Sequence, residues 1–176
     1  YEVSRYLQSI VDFSENDTNK TERILSIYTS TIHELPNSIS TTQLKKLTQF
    51  INTSRKIKIF GIHETSLAAS YFSYRLATLG IDSEVVSSNA NMVQKAELTN
   101  EDDLNIFFSL SAETTLIKDS INVSKCNLVL ITQNNHHKFK NKVDLDFIIP
   151  TFQTTKKNIF LDSQALLFIA IDLIIS

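Results

Sequence analysis

Ile106-Phe107-Phe108-Ser109-Leu110-Ser111-Ala112-Glu113-Thr114-Thr115 passes from an apolar, β-prone run through a hydroxyl-rich turn into a helix-like stretch. Lys58-Ile59-Phe60-Gly61-Ile62-His63-Glu64-Thr65-Ser66 repeats the layout. This is how α/β proteins hold anions at the carboxyl ends of their strands: unpaired N–H groups at a helix start are partly positive, and neighbouring hydroxyls can donate to phosphate oxygens. The later turn is the stronger signal. Ser109, Ser111, Thr114 and Thr115 place four hydroxyls within seven residues, whereas a helix N-cap needs one. Neither turn contains Lys or Arg. Capping alone is the competing explanation, because Ser and Thr are the usual caps.

Outward from these turns, strand and helix alternate. Strands are expected at Ile57–Phe60, Ser83–Val86, Ile106–Leu110, Leu128–Ile131 and Phe147–Ile149. Helices are expected at Thr65–Leu79, ended by Gly80, then around Asn89–Ala96, at Thr114–Ser124 and at Ser163–Ile175. Before the alternation come helices over Thr21–Leu35, stopped by Pro36, and over Thr41–Thr53, and before those a short helix over Tyr1–Val11 and a polar linker over Asp12–Lys20. Short apolar strands separated by helices imply a three-layer α/β/α sandwich. Its parallel sheet of about five strands is covered on both faces, flavodoxin-like in style, with ligands beyond the strand carboxyl ends.

Composition bounds the function. With 176 residues, 42% apolar and 20% charged, the chain can build one domain with a full core. A net charge of -2 with scattered Lys and Arg argues against a nucleic-acid surface on this portion. The lone Cys126 cannot pair within the chain, which fits a reducing cytoplasm and a small buried side chain. The longest apolar run, Ala165–Ile175, is broken by Asp172 and is about half a bilayer span, so no membrane partner is expected. The chain opens on Tyr1, not Met, so a piece of a longer protein is expected.

The residues carry a resemblance. Ile57–Gly80, with Gly61, Ala69, Tyr74, Arg75, Leu76 and Gly80, resembles the opening of a SIS (sugar isomerase) domain, whose pattern is Gly-x-Gly-x-Ser, a helix and Leu-x-x-x-Gly. Asp103–Thr114 is similar to the second signature of that family, an acidic residue and a strand leading into Ser-x-Ser-Gly-x-Thr. Leu128–Thr132 and Val143–Pro150 resemble its later strands. Within that superfamily the chain looks most like RpiR-type, sugar-phosphate-responsive transcription regulators, which place two helices before the SIS core. The final helix there is similar to Asp162-Ser163-Gln164-Ala165 through Ile171-Asp172-Leu173. The resemblance implies two parts. Residues 1–19 would be the tail of a helix-turn-helix domain and its linker, and residues 20–176 an effector-binding and dimerisation domain.

This chain departs from the pattern at two glycines, replaced by His63 and Ala112. Glycine at such places allows positive φ and close backbone approach, and a Cβ can obstruct both. The expected function is the phosphosugar-sensing half of a cytoplasmic regulator of carbohydrate metabolism, a homodimer or dimer of dimers. It would reach DNA only through the helix-turn-helix domain. Ser109, Ser111 and Thr114 would hold the phosphate, Thr65 and Ser66 would assist, and His63 and Glu64 would shape the mouth. No cofactor or metal is expected. No catalytic residue can be assigned, since His136 and His137 lie in a polar loop without an evident positioned partner, so the chain is expected not to be an enzyme. The alternatives are a sugar-phosphate isomerase or aminosugar-phosphate lyase, and a ligand-free dimerisation module.

Overall fold

The computed structural model describes residues 17–152 and 161–176. The expected helix over Tyr1–Val11 and the first part of the linker lie outside them. Two helices come first, α1 (Asp17–Ser38) and α2 (Thr41–Thr53), then β1 (Ile57–Phe60), α3 (Thr65–Thr78), β2 (Glu84–Val86), α4 (Met92–Glu97), β3 (Leu104–Phe108), α5 (Thr115–Val123), β4 (Asn127–Thr132), β5 (Leu145–Ile148) and α6 (Gln164–Ile175).

Pro36 does not stop α1, which runs on to Ser38. A proline in the last turn removes one hydrogen bond only, and Ser38 Oγ donates to the Leu35 carbonyl at 2.8 Å to satisfy part of that end. At its other end α1 takes Asp17–Lys20 from the expected linker. A reciprocal capping box starts α2: the Gln43 N–H donates to Ser40 Oγ at 3.2 Å, and the Ser40 N–H to Gln43 Oε1 at 2.9 Å. Gly80, at φ 77°, closes α3. There the Ile81 N–H returns to the Leu76 carbonyl and the Gly80 N–H to the Ala77 carbonyl, both at 3.0 Å, a Schellman ending that needs the left-handed residue.

The five strands are all parallel, in the order β2-β1-β3-β4-β5. Alternation along them feeds two cores. Ile57, Ile59, Ile106, Phe108, Val129 and Ile131 face a layer containing Leu35, Leu47, Phe72 and Ile171, from α1, α2, α3 and α6. Phe60, Phe107, Leu128 and Leu130 face Met92, Ala96, Ile117 and Ile121 of α4 and α5. Strand β3 begins two residues before the sequence suggests because it buries Asn105, whose amide donates to Thr99 Oγ1 at 3.3 Å and Ser124 Oγ at 3.0 Å. Its amide nitrogen is satisfied in this way, while Oδ1 is buried without a hydrogen-bond partner among the described residues.

The connection from β4 to β5 contains no helix. His137 anchors it from inside: Nδ1 accepts the Phe139 N–H at 3.2 Å, which leaves the proton on Nε2 to donate to Asp146 Oδ2 at 3.0 Å. The outer edge of β5 is covered by α2, where Gln43 Nε2 and Lys46 Nζ each donate, at 2.6 Å, to the carbonyls of Asp146 and Asp144. Free strand edges invite pairing with other chains, and these side chains occupy that one. Among the described residues no helix is long and apolar enough to cross a membrane.

Candidate functional site

Strands β1 and β3 are neighbours, with Phe60 opposite Phe107. From their carboxyl ends the chain leaves to opposite faces: α3 packs with α6, and α5 packs with α4. This is the topological switch point of the sheet, where α/β folds form a ligand crevice. The two hydroxyl-bearing turns follow the adjacent ends of β1 and β3 at this point.

The turn after β1 is tightly wound. A Cβ on Gly61 would lie 2.4 Å from the Thr65 carbonyl oxygen and 2.9 Å from its carbon, so only glycine fits. His63 follows at φ 51°. Thr65 is buried, and its hydroxyl both accepts from the Ile62 N–H at 3.0 Å and donates to the Ile62 carbonyl at 2.8 Å. Ser66 Oγ donates to the His63 carbonyl at 2.6 Å. The side chains of His63 and Glu64 are exposed. Gln164, the first residue of α6, donates its side-chain amide to the Glu64 carbonyl and so fastens the last helix to this turn.

The turn after β3 uses its hydroxyls differently. Ser109 Oγ accepts from the Ala112 N–H at 3.2 Å, and Ser111 Oγ accepts from the Glu113 N–H at 3.1 Å. Each hydroxyl proton is left to donate elsewhere. Thr114 is the N-cap of α5, yet its side chain caps nothing. Ala112 stands at φ 54° with its methyl buried. The turn is tied to the end of β4, since Asn134 Nδ2 donates to the Ser111 carbonyl at 2.8 Å and Thr132 Oγ1 to the Leu110 carbonyl at 2.9 Å.

The structure therefore sorts the candidate hydroxyls. The hydroxyls of Ser109, Ser111 and Thr114 donate to no described residue, whereas Thr65 and Ser66 spend their protons inside the turn. The Cβ atoms of His63 and Ala112, expected to obstruct positive φ, do not prevent it. Of the loop histidines, His136 is exposed, and His137 is buried with both ring nitrogens engaged. Among the described residues no cluster of His, Cys, Asp and Glu could hold a metal ion. Burial pushes the Cys126 thiol above its ordinary pKa, against a reactive thiolate. Asn134 and Gln164 escaped sequence reading because their partners are 23 and 100 residues away.

No protein-family model matches the chain, and no curated protein sequence is similar to it. Solved structures are similar in fold. The Vibrio vulnificus NanR protein, complexed with ManNAc-6P, superposes with a TM-score of 0.75 at 13% identity over 97% of this chain. This chain spans 64% of that one. The sugar isomerase domain of an RpiR transcription factor from Sphaerobacter thermophilus gives 0.70 at 13% identity, covering 86% of each chain. Phosphoheptose isomerase GmhA from Neisseria gonorrhoeae gives 0.67 at 11% identity, over 88% of this chain and 96% of that one.

One expectation is corrected by these likenesses. For want of an assignable base, the sequence alone argues against an enzyme. A named isomerase has the same fold, and a catalytic base is placed by tertiary proximity, so a missing local motif does not separate this chain from enzymes. At these identities the likeness establishes architecture: the chain has the SIS (sugar isomerase) domain fold, found in a transcription factor and in a phosphosugar isomerase alike.

Proposed function

We propose that the chain is the phosphosugar-binding domain of a cytoplasmic transcription regulator of carbohydrate metabolism. The observation that supports it most is the crevice between β1 and β3, with two left-handed turns side by side and the donors of Ser109, Ser111 and Thr114 unspent. The phosphate sits on that hydroxyl turn, held by hydroxyl and backbone N–H donors. A regulator is favoured over an isolated binding module by α1 and α2, the two helices that precede the first strand, and by the likeness to an RpiR transcription factor. DNA contact then belongs to a helix-turn-helix domain before residue 20. Such a regulator works as a homodimer or a dimer of dimers. Exposed Leu67 and Tyr74 on α3, Leu173 on α6 and Leu25 on α1 supply apolar surface for that contact. Ligand shifts operator affinity by binding two arrangements of the dimer unequally.

Thermal-shift titration against a panel of sugar phosphates tests the reading, because a ligand of the folded state raises apparent stability. A rise with phosphorylated sugars and none with the free sugars supports it. No response to any phosphorylated sugar overturns it. Interconversion of the same phosphates on incubation would make the ligand a substrate and assign the site to isomerase chemistry.

A further inference from the structure

His63 and Ala112 are the two non-glycine residues at positive φ among the described residues. Their surroundings differ. Ala112 is 1% exposed and belongs to the buried apolar cluster, with Phe107 and Ile117 among its members, beneath α4 and α5. Burial of its methyl offsets the strain of its backbone. His63 has no such return. Its side chain is exposed, its carbonyl alone takes part in the turn, and none of the described residues hydrogen-bonds or pairs with the ring. A left-handed conformation is unfavourable for a residue with a Cβ, and glycine or asparagine would adopt it more readily. An exposed imidazole held at a strained position, at the rim of a crevice, is a feature that nothing within the chain explains. Strained residues of this kind gather at functional sites.

We infer that His63 is a specificity residue that reads the sugar, not the phosphate, of a bound sugar phosphate. The inference rests on the proposed function and adds a division of labour within the same crevice. Strands β1 and β3 run side by side, about 4.8 Å apart. The turn after β1 thus begins one strand spacing from the Ser109–Thr114 turn, a separation that a monosaccharide ring carried by a phosphate on that turn can span. There the imidazole nitrogens can donate to or accept from ring hydroxyls or an N-acyl group. Thr65 and Ser66 do not compete for that part of the ligand, since their hydroxyl protons are spent on Ile62 and His63.

The experiment uses the chain as it stands, with inorganic phosphate, glucose 6-phosphate, ribose 5-phosphate and N-acetylmannosamine 6-phosphate as probes. His63→Gly and His63→Asn are compared with wild type by calorimetry and by melting without ligand. Both variants are expected to melt a few degrees higher, about 2–4 °C for relief of roughly one strained residue. Both should bind the preferred sugar phosphate about 5- to 20-fold more weakly, the effect of one or two lost hydrogen bonds, and inorganic phosphate as well as wild type does. Asparagine keeps the turn in its conformation, so a loss shared by both variants comes from the ring and not from added backbone freedom. Unchanged sugar-phosphate affinity in both variants, with inorganic phosphate still bound, overturns the role of His63 and leaves the phosphate site standing. Equal weakening for inorganic phosphate and sugar phosphate overturns it too, since the ring would then hold the phosphate. If wild type binds none of the four probes, the proposed function fails and the role of His63 fails with it.

Discussion

Thr65 Oγ1 and the backbone of Ile62 close a small ring in both directions, the hydroxyl accepting from the Ile62 N–H at 3.0 Å and donating to the Ile62 carbonyl at 2.8 Å. The threonine expected from the sequence to assist a phosphate thus holds its own turn together. Ser109, on the neighbouring strand end, accepts one N–H and keeps its proton.

The two hydroxyls are therefore expected to fail differently. Ser109→Ala combined with Ser111→Ala should weaken a confirmed sugar phosphate by about 1–3 kcal/mol. Because it also strands the buried Ala112 N–H, it should lower folding stability by about 1–3 kcal/mol without abolishing the fold, so that a change in ligand affinity is what sets it apart from a substitution at Thr65. Thr65→Val should lower folding stability by about 1–3 kcal/mol, because it strands the buried Ile62 N–H. Calorimetry and urea unfolding on the same proteins separate the effects, and a Thr65→Val protein of wild-type stability would contradict the assignment of its hydroxyl to the turn.

Gly61 leaves no room for a side chain. Gly61→Ala pushes a methyl to 2.4 Å from a backbone oxygen at the start of α3, and a backbone atom cannot swing aside as a side-chain tip can. The expected loss is about 1–3 kcal/mol, the usual range for overpacking, read as a lower urea midpoint with an unchanged slope.

Ala112 should tolerate glycine. Relief of left-handed strain, about 1 kcal/mol, opposes loss of one buried methyl, about 0.8 kcal/mol, so Ala112→Gly is expected near zero. Ala112→Val combines a β-branched side chain with φ 54° at a buried position and should destabilise strongly. A Val variant as stable as wild type would show that the turn relaxes out of the left-handed region.

Lys58 points into the sheet's second face, buried, with Nζ donating to the Lys95 carbonyl at 2.7 Å. Burial lowers its pKa below the ordinary lysine value, partly countered by Glu84. Between the lowered folded value and the ordinary unfolded one, the unfolded chain holds more protons, so stability gains as pH rises through that window. Lys58→Met should lack this gain. Urea unfolding from pH 7 to 10.5 checks it: the stability of wild type relative to Lys58→Met should increase with pH, and a flat or falling difference would count against burial as the dominant influence.

Local chemistry made much of this molecule legible. The alternation of apolar runs with amphipathic stretches marks the five parallel strands and their helices, because side-chain periodicity and burial are coupled residue by residue. Gly80 ends α3 and Ser109 opens a hydroxyl-rich turn for reasons contained within a few neighbours. The sequence also shows which two turns carry hydroxyls. Only the tertiary structure decides what those hydroxyls do. Whether a hydroxyl proton is spent on a carbonyl or left for a ligand depends on how tightly each turn closes, and that depends on contacts such as Gly61 against Thr65 and Gln164 against Glu64, the second spanning 100 residues. The same holds for His63 and Ala112. Their identity is written in the chain, but that one methyl is buried and one ring exposed is set by how each turn packs on its neighbours and not by any local pattern.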